Sequence, residues 1–438
     1  MNTPIFDFVT SYADRNPTRL HMPGHKGTGP LGVERLDITE ITGADDLYYP
    51  GGIIAESERN AARLFGTACT VYSTEGSSQC IRTMVHLTAG RVRDGKPLFF
   101  AARNAHKTFL YAAALVDADI RWLWPEESGD LCSCPITPEQ LDQALAQAEC
   151  TPAAVYVTSP DYLGNLLPIE KLAQVCHRYN TLLLVDNAHG AYLRFLPRSL
   201  HPMDLGADMC CDSAHKTLPV LTGGAYLHMN QACADWFAPH VKEVMALYGS
   251  TSPSYLTLSS LDLCNDYLDR QIRTDLDTLL SLVAQLKSDR SAKGWQLMGD
   301  EPLKLTLRCP GTQLADSLSE QGIFCEYADD EHVVLMLSPA TDPADLERLV
   351  VALGKNGFGA QPSAALPPLR PVQALSPRQA LFAPQECIPV TKAVGRICAA
   401  PTVSCPPAIP VVVSGEVVDE AALAWFAHYG IETICVVT

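Results

Sequence analysis

Thr181-Leu182-Leu183-Leu184-Val185-Asp186-Asn187-Ala188-His189-Gly190 is the stretch on which the fold turns. Met209-Cys210-Cys211-Asp212-Ser213-Ala214-His215-Lys216-Thr217 is the next strand-like block along the chain. The first is an apolar run that ends in Asp186 and then switches to small and polar residues; the second delivers Ser, His and Lys. An apolar run without alternation reads as a strand covered on both faces, the kind found in parallel sheets. Working outward, Ile169–Tyr179 has helical spacing, and Ala153–Thr158 and Leu98–Ala102 are further apolar runs. Ser57–Phe65 and Ser78–Ala89 also read as helices. Strands separated by helices predict an α/β fold with a mostly parallel central sheet, whose ligand sits at the carboxyl ends of the strands.

Beyond this region Leu256–Asp289 reads as one long helical stretch. Lys304–Cys309, Leu314–Gln321, Cys325–Tyr327, Val333–Leu337 and Pro343–Leu353 then read as strand, helix, strand, strand and helix, a small α+β domain. The expected division is an N-terminal segment (1–50), a large domain (51–290), the small α+β domain (291–358), a Gly/Ala/Pro-rich linker (359–371) and a short C-terminal domain (372–438). The last contains Pro406-Pro407, Pro410 and a final strand, Thr433–Val437.

The 438 residues are 47% hydrophobic and 18% charged, a composition that buries a core and argues against extended disorder. A net charge of −17 speaks against nucleic acid or anionic membrane as a partner. The 16 cysteines include no Cys-x-x-Cys pair, so no metal site is expected, and singles such as Cys176 look like small buried hydrophobes. The N-terminus lacks a basic segment followed by an apolar one, and a reducing cytoplasm fits best.

The chemistry gathers at the ends of the two quoted strands. Asp186 places a carboxylate at a cleft edge, and Ser213, His215 and Lys216 arrive at the same edge one strand later. Gly223-Gly224 follows and permits close backbone approach. Glu75-Gly76-Ser77-Ser78 precedes a helical run and offers hydroxyls and a helix N-terminus to a phosphate. A lysine that forms an imine, a carboxylate for a pyridinium nitrogen and a phosphate cradle are what pyridoxal 5′-phosphate requires. His-Lys-Thr occurs twice, at 106–108 and 215–217, and the two copies compete for the lysine role. The second is favoured because it lies beside Ser213 and downstream of Asp186. His106 can then stack on the pyridine face, with Lys107 solvated. Gly27, Gly29 and Gly32 spell G-x-G-x-x-G, but no strand precedes them, so they read as a loop.

These residues resemble the ornithine/lysine/arginine decarboxylases of the aspartate-aminotransferase fold, and the likeness extends over nearly the whole chain. It is carried by His21-Met22-Pro23-Gly24-His25-Lys26, Asp37-Ile38-Thr39-Glu40, Asp45-Asp46-Leu47, Pro50-Gly51-Gly52, Gly76-Ser77-Ser78 and Arg103-Asn104-Ala105-His106-Lys107. It continues in Asp186-Asn187-Ala188-His189-Gly190-Ala191 and Ser213-Ala214-His215-Lys216-Thr217. The tail, Pro406-Pro407-Ala408-Ile409-Pro410 with Ser414-Gly415-Glu416, is similar to the family's C-terminal domain.

The resemblance implies fold type I of the pyridoxal-phosphate enzymes and decarboxylation of a basic amino acid to CO2 and an amine. It makes Lys216 the Schiff-base lysine, with His215 near the phosphate and the reacting carbon. Asp186 would pair with the ring nitrogen, Ala188 and His189 would line the ring, and His106 would stack on its opposite face. Gly76, Ser77, Ser78 and Ser213 would hold the phosphate, and Thr251 the phosphate of a neighbouring subunit, so a homodimer with shared active sites is expected. Glu326 would face the substrate's distal amine.

Several positions depart from that pattern. Asn187 stands where the family usually has Glu, and Tyr192 where His is common. Pro160-Asp161-Tyr162-Leu163-Gly164 lacks the usual Thr after Pro, Ala408 replaces a Gly and Ser414 a Pro, and the loop Leu218–Gly224 differs. An aminotransferase or other pyridoxal-phosphate lyase, and a catalytically silent cofactor-binding homologue, are therefore the rival readings. The motifs do not distinguish lysine, arginine and ornithine.

Overall fold

The computed structural model describes residues 1–126, 130–354, 366–401 and 410–438. They form two compact units, Met1–Leu87 with Leu183–Asp277, and Thr88–Leu182 with Thr278–Thr438. The linker residues 359–365 and the motif Pro406-Pro407-Ala408-Ile409 lie outside the described residues.

In chain order the first elements are α1 (Pro4–Asp14), α2 (Ile53–Phe65), β1 (Cys69–Ser73), α3 (Gly76–Ala89), β2 (Leu98–Ala102), α4 (Lys107–Leu115) and β3 (Asp119–Leu123). They are followed by α5 (Pro138–Ala146), β4 (Ala154–Thr158), α6 (Ile169–Arg178), β5 (Leu182–Asp186), β6 (Met209–Asp212), α7 (Ala214–Thr217) and β7 (Ala225–Met229). In the first unit the strand order is β1–β7–β6–β5. β5 and β6 run parallel, with Asp186 opposite Cys211, whereas β7 is antiparallel to both β1 and β6. In the second unit the order is β4–β2–β3, all parallel. β7 alone reverses, so the strands are mostly parallel, and apart from the edge strand β3 they are buried on both faces along most of their length, as the unbroken apolar runs require.

Helices α8 (Gln231–Ala246), α9 (Tyr255–Arg270) and α10 (Ile272–Ala292) follow. The single stretch expected over Leu256–Asp289 is thus two helices. Gln271 leaves helical geometry (φ −120°, ψ −37°), and its carbonyl accepts from Thr274 and Asp275 at the start of α10. No Gly or Pro marks this break.

The N-terminal segment is tied into the first unit. Buried Asp262 of α9 accepts the N–H groups of Ile5 (2.8 Å) and Phe6 (3.0 Å) in the first turn of α1. Asp45 accepts those of Gly51, Gly52 and Ile54 at the start of α2, and Tyr255 donates to the carbonyls of Ala44 and Asp45.

In the second unit β8 (Gln296–Met298), β9 (Lys304–Arg308), α11 (Gly311–Glu320), β10 (Tyr327–Ala328), β11 (His332–Met336) and α12 (Pro343–Ala352) build an antiparallel sheet of order β10–β11–β9–β8. β8, only three residues at an edge, gave no pattern to read. The C-terminal segment carries α13 (Pro377–Phe382), which lies against α4, and β12 (Gln385–Pro389), α14 (Glu420–His428) and β13 (Thr433–Val437), packed around Val411, Val412, Trp425 and Phe426. Cys387 and Cys435, opposed in the β12–β13 pair, form a disulfide that the reading of single thiols did not foresee. Among the described residues no helix is long and apolar enough to cross a membrane.

Candidate active site

Three segments of the first unit meet at the carboxyl ends of β5 and β6. Asp186 closes β5 and is buried; its carboxylate accepts the Ala188 N–H (3.2 Å) and the Cys211 thiol of the neighbouring strand (3.7 Å). The turn that follows brings His189 Nε2 to within 2.9 Å of Lys216 Nζ. Lys216 lies in the short helix α7, directly after β6, on the exposed side of the turn. Beside it His215 approaches one carbonyl twice. Its backbone N–H (3.2 Å) and its ring Nδ1 (3.0 Å) both reach Gly224 O, so Nδ1 carries the hydrogen and Nε2 stays available to exchange a proton.

The third segment is the N-terminus of α3. Ser213 Oγ donates to Ser77 Oγ (2.8 Å), joining the lysine segment to Gly76-Ser77-Ser78. Gly76 N donates to Gly223 O (2.7 Å). Gly223 has φ +97°, and a Cβ there would lie 2.7 Å from Thr74 O, so only glycine lets this loop cross the start of α3. Gly76 itself has φ +70° with open space where a Cβ would be. A helix start with two serines and a third hydroxyl beside it is an anion-binding arrangement. Thr251 is exposed in the turn before α9.

In the second unit His106 caps α4 just after β2, its Nδ1 accepting from Thr108 N (3.3 Å) and facing Thr108 Oγ1 (3.0 Å). Lys107 is exposed on the first turn of α4. Glu326 accepts a hydrogen bond from Tyr162 (2.8 Å), whose phenol is pushed well up by burial and then by the Glu326 charge. Tyr162 sits in the departed Pro160–Gly164 segment, and nothing local in the sequence pairs it with Glu326. The glycines at 27, 29 and 32 lie in irregular loop structure, with no strand before them.

One cluster escaped the sequence reading altogether. Behind the β5–β6 ends, Asp212 is fully buried and accepts from Asn187 Nδ2 (2.6 Å), His201 Nε2 (3.0 Å) and His228 Nε2 (3.2 Å). Two polar residues, Asp212 and His228, in otherwise apolar strands were the available signal.

Residues 3–306 match the Orn/Lys/Arg decarboxylase major domain, and residues 358–430 match the C-terminal domain of the same family. An arginine decarboxylase of Halalkalibacterium halodurans is 31% identical, over 97% of this chain and 92% of its own length. The arginine decarboxylase of Bacillus subtilis is 29% identical over the same shares. Among solved structures, a Francisella novicida lysine decarboxylase superposes with a TM-score of 0.81 at 17% identity, covering 100% of this chain and 81% of that one. A Sphingomonas wittichii serine palmitoyltransferase gives 0.58 at 14%, covering 80% and 82%. The fold is therefore fold type I of the pyridoxal-phosphate-dependent enzymes. With both of its family domains matched in order and a relative above 30% identity along nearly its full length, the chain belongs to the Orn/Lys/Arg decarboxylase family.

Proposed function

We propose that this chain releases CO2 from a basic amino acid, with arginine the first candidate, using pyridoxal 5′-phosphate held by Lys216. The observation that carries the reading is the convergence, in one unit, of an amine, a buried carboxylate and a hydroxyl-lined helix N-terminus. This donor set fits the three polar ends of the cofactor: its aldehyde, its ring nitrogen and its phosphate. When bound, the cofactor supplies the electron sink for the Cα–carboxylate bond.

The chain's own residues supply the rest. Lys216 Nζ is the amine that holds the aldehyde, and His189, 2.9 Å away, can take a proton from it. Asp186 would keep a proton on the ring nitrogen, and Ala188 and His189 would line the ring. Gly76, Ser77, Ser78 and Ser213 would bind the phosphate. His215, its Nδ1 committed to Gly224 O, returns a proton to Cα through Nε2. By the family resemblance His106 would serve the cofactor ring, and Glu326, which accepts a hydrogen bond from Tyr162 within the second unit, would serve the distal amine.

The same reading makes the protein a cytoplasmic homodimer in which Thr251 serves the phosphate in the partner subunit. Exposed Leu20, Met22, Leu31 and Tyr49 on the N-terminal segment give an apolar surface to bury. The buried single thiols suit a reducing compartment, whereas the Cys387–Cys435 bridge weighs against it.

The test is to add arginine, lysine and ornithine separately to the purified, cofactor-loaded protein and follow CO2 and the visible absorbance band. CO2 from one of them, with band and turnover both lost in Lys216→Ala, is expected. Amine transfer that requires a keto acid, or a spectral change without turnover, would overturn the reading in favour of its rivals.

A further inference from the structure

Asp212 is the last residue of β6, one position before Ser213 and four before Lys216, with Asn187 and its hydrogen bond on the neighbouring β5 turn. Its two oxygens are divided: Oδ1 takes Asn187 Nδ2, and Oδ2 takes both histidines. Each histidine is held from its far side. His201 Nδ1 faces Met203 N (3.4 Å), and His228 Nδ1 faces Thr70 Oγ1 (2.7 Å) on β1. Phe65 packs on both imidazoles, with centroids 5.5 Å and 4.5 Å away, and both rings and the carboxylate are fully buried. Burial would raise the Asp212 carboxyl, but electrostatic attraction to His201 and the hydrogen bonds of both histidines outweigh it and hold the group well below the usual carboxylate range. Asn187 Oδ1 has no hydrogen-bond partner and lies where a Cβ on Gly190 would be, so the amide is oriented by Asp212 alone.

The network therefore grips both chain segments that bear the proposed chemistry, the Asp186–His189 turn and the Ser213–Lys216 turn, from their inner side. We propose that Asp212, clamped by His201 and His228, is a positioning residue that sets Asp186 and Lys216 against the cofactor, an inference that rests on the function proposed above. The three hydrogen bonds that Asp212 accepts are buried and made to a carboxylate, the strong class that fixes the groups it joins, and a displacement of about 1 Å at a reacting group can cost about 100-fold in rate. The cluster also includes the thiol of Cys210, so a bound divalent metal is the rival account of the same residues.

The experiment uses the cofactor-loaded protein and the variants Asp212→Asn, His201→Phe and His201→Gln, the last keeping a donor near the Nε2 position. We expect Asp212→Asn and His201→Phe to lower kcat by about 100-fold with little change in KM. Both should weaken cofactor binding to the apoprotein and move the pH midpoint of its visible band; for Asp212→Asn, loss of a negative charge moves it downward. His201→Gln should restore the wild-type band.

Variants that lose thermal stability but keep wild-type kcat, cofactor affinity and band midpoint would overturn the proposal, as would stoichiometric zinc in the wild type that is lost in His201→Phe. If Asp212→Asn does not fold, the two His201 variants decide. A wild type that gives no visible band with pyridoxal phosphate overturns the proposed function and this inference together; a band unmoved by every variant overturns this inference alone.

Discussion

His215 and Lys216 are neighbours in the chain, yet their environments assign them different work. The imidazole is anchored through Nδ1, so replacing it by Asn keeps a donor toward Gly224 O and removes only Nε2. His215→Asn should leave the thermal melt unchanged and lower kcat by about 10²- to 10⁴-fold, the usual worth of a proton-transfer group; single-turnover kinetics would measure it. An unchanged kcat would remove His215 from the proton path. Asn187 allows a second test at the same scale. Its amide donates to an ionised, buried Asp212, which a Glu, the residue usual in the family, would instead repel. Asn187→Glu should cost about 3 kcal/mol in urea denaturation, and Asn187→Glu combined with Asp212→Gln should recover most of that loss. The sequence showed Asn187 as an oddity but not the reason, because its partner lies on the adjacent strand, 25 residues away.

At the scale of elements, apolar continuity was enough to locate strands: Leu98–Ala102 and Thr433–Val437 coincide with β2 and β13 residue for residue. It was not enough where an element is very short, as in β8, or where a helix breaks without Gly or Pro, as between α9 and α10. The docking of α1 was equally invisible, since it depends on one carboxylate, Asp262, that caps the helix from 257 residues away. Burial pushes the Asp262 carboxyl up from 3.8 to about 6, against the hydrogen bonds from Ser57, Phe6 and Ile5. The folded protein thus binds this proton more tightly than the unfolded chain, so Asp262 contributes most below pH 4. That contribution declines between pH 4 and pH 6, by on the order of 3 kcal/mol in all. Asn cannot titrate, so the stability difference between wild type and Asp262→Asn should favour the wild type most at low pH and shrink across that window. Chemical denaturation at pH 4, 5 and 6 would show it; a difference that grows with pH would have the wrong sign.

For the molecule as a whole, the second unit is assembled from separated stretches of chain, and one ion pair fastens the last of them. Arg103, just after β2, forms two parallel hydrogen bonds with Glu416, at 2.7 and 2.8 Å, across 313 residues of sequence. Both side chains are buried. The guanidinium also donates to the carbonyls of Pro410 and Val411 and lies over the rings of Trp122 and Trp124, while Glu416 accepts the Val413 N–H. Both residues stood out in the sequence as members of motifs, but a motif records that a residue type recurs, not what it touches. Here the geometry gives each a structural role: they secure the C-terminal segment at the carboxyl end of the strand that leads to His106. Removing one partner leaves the other charge buried and uncompensated, so Arg103→Met and Glu416→Leu should each cost about 3–5 kcal/mol. The double substitution removes both charges, so it should cost clearly less than the sum of the singles, the coupling expected of groups in direct contact. Equilibrium unfolding of the four proteins closes the cycle; strict additivity would mean that the pair does not hold the C-terminal segment in place.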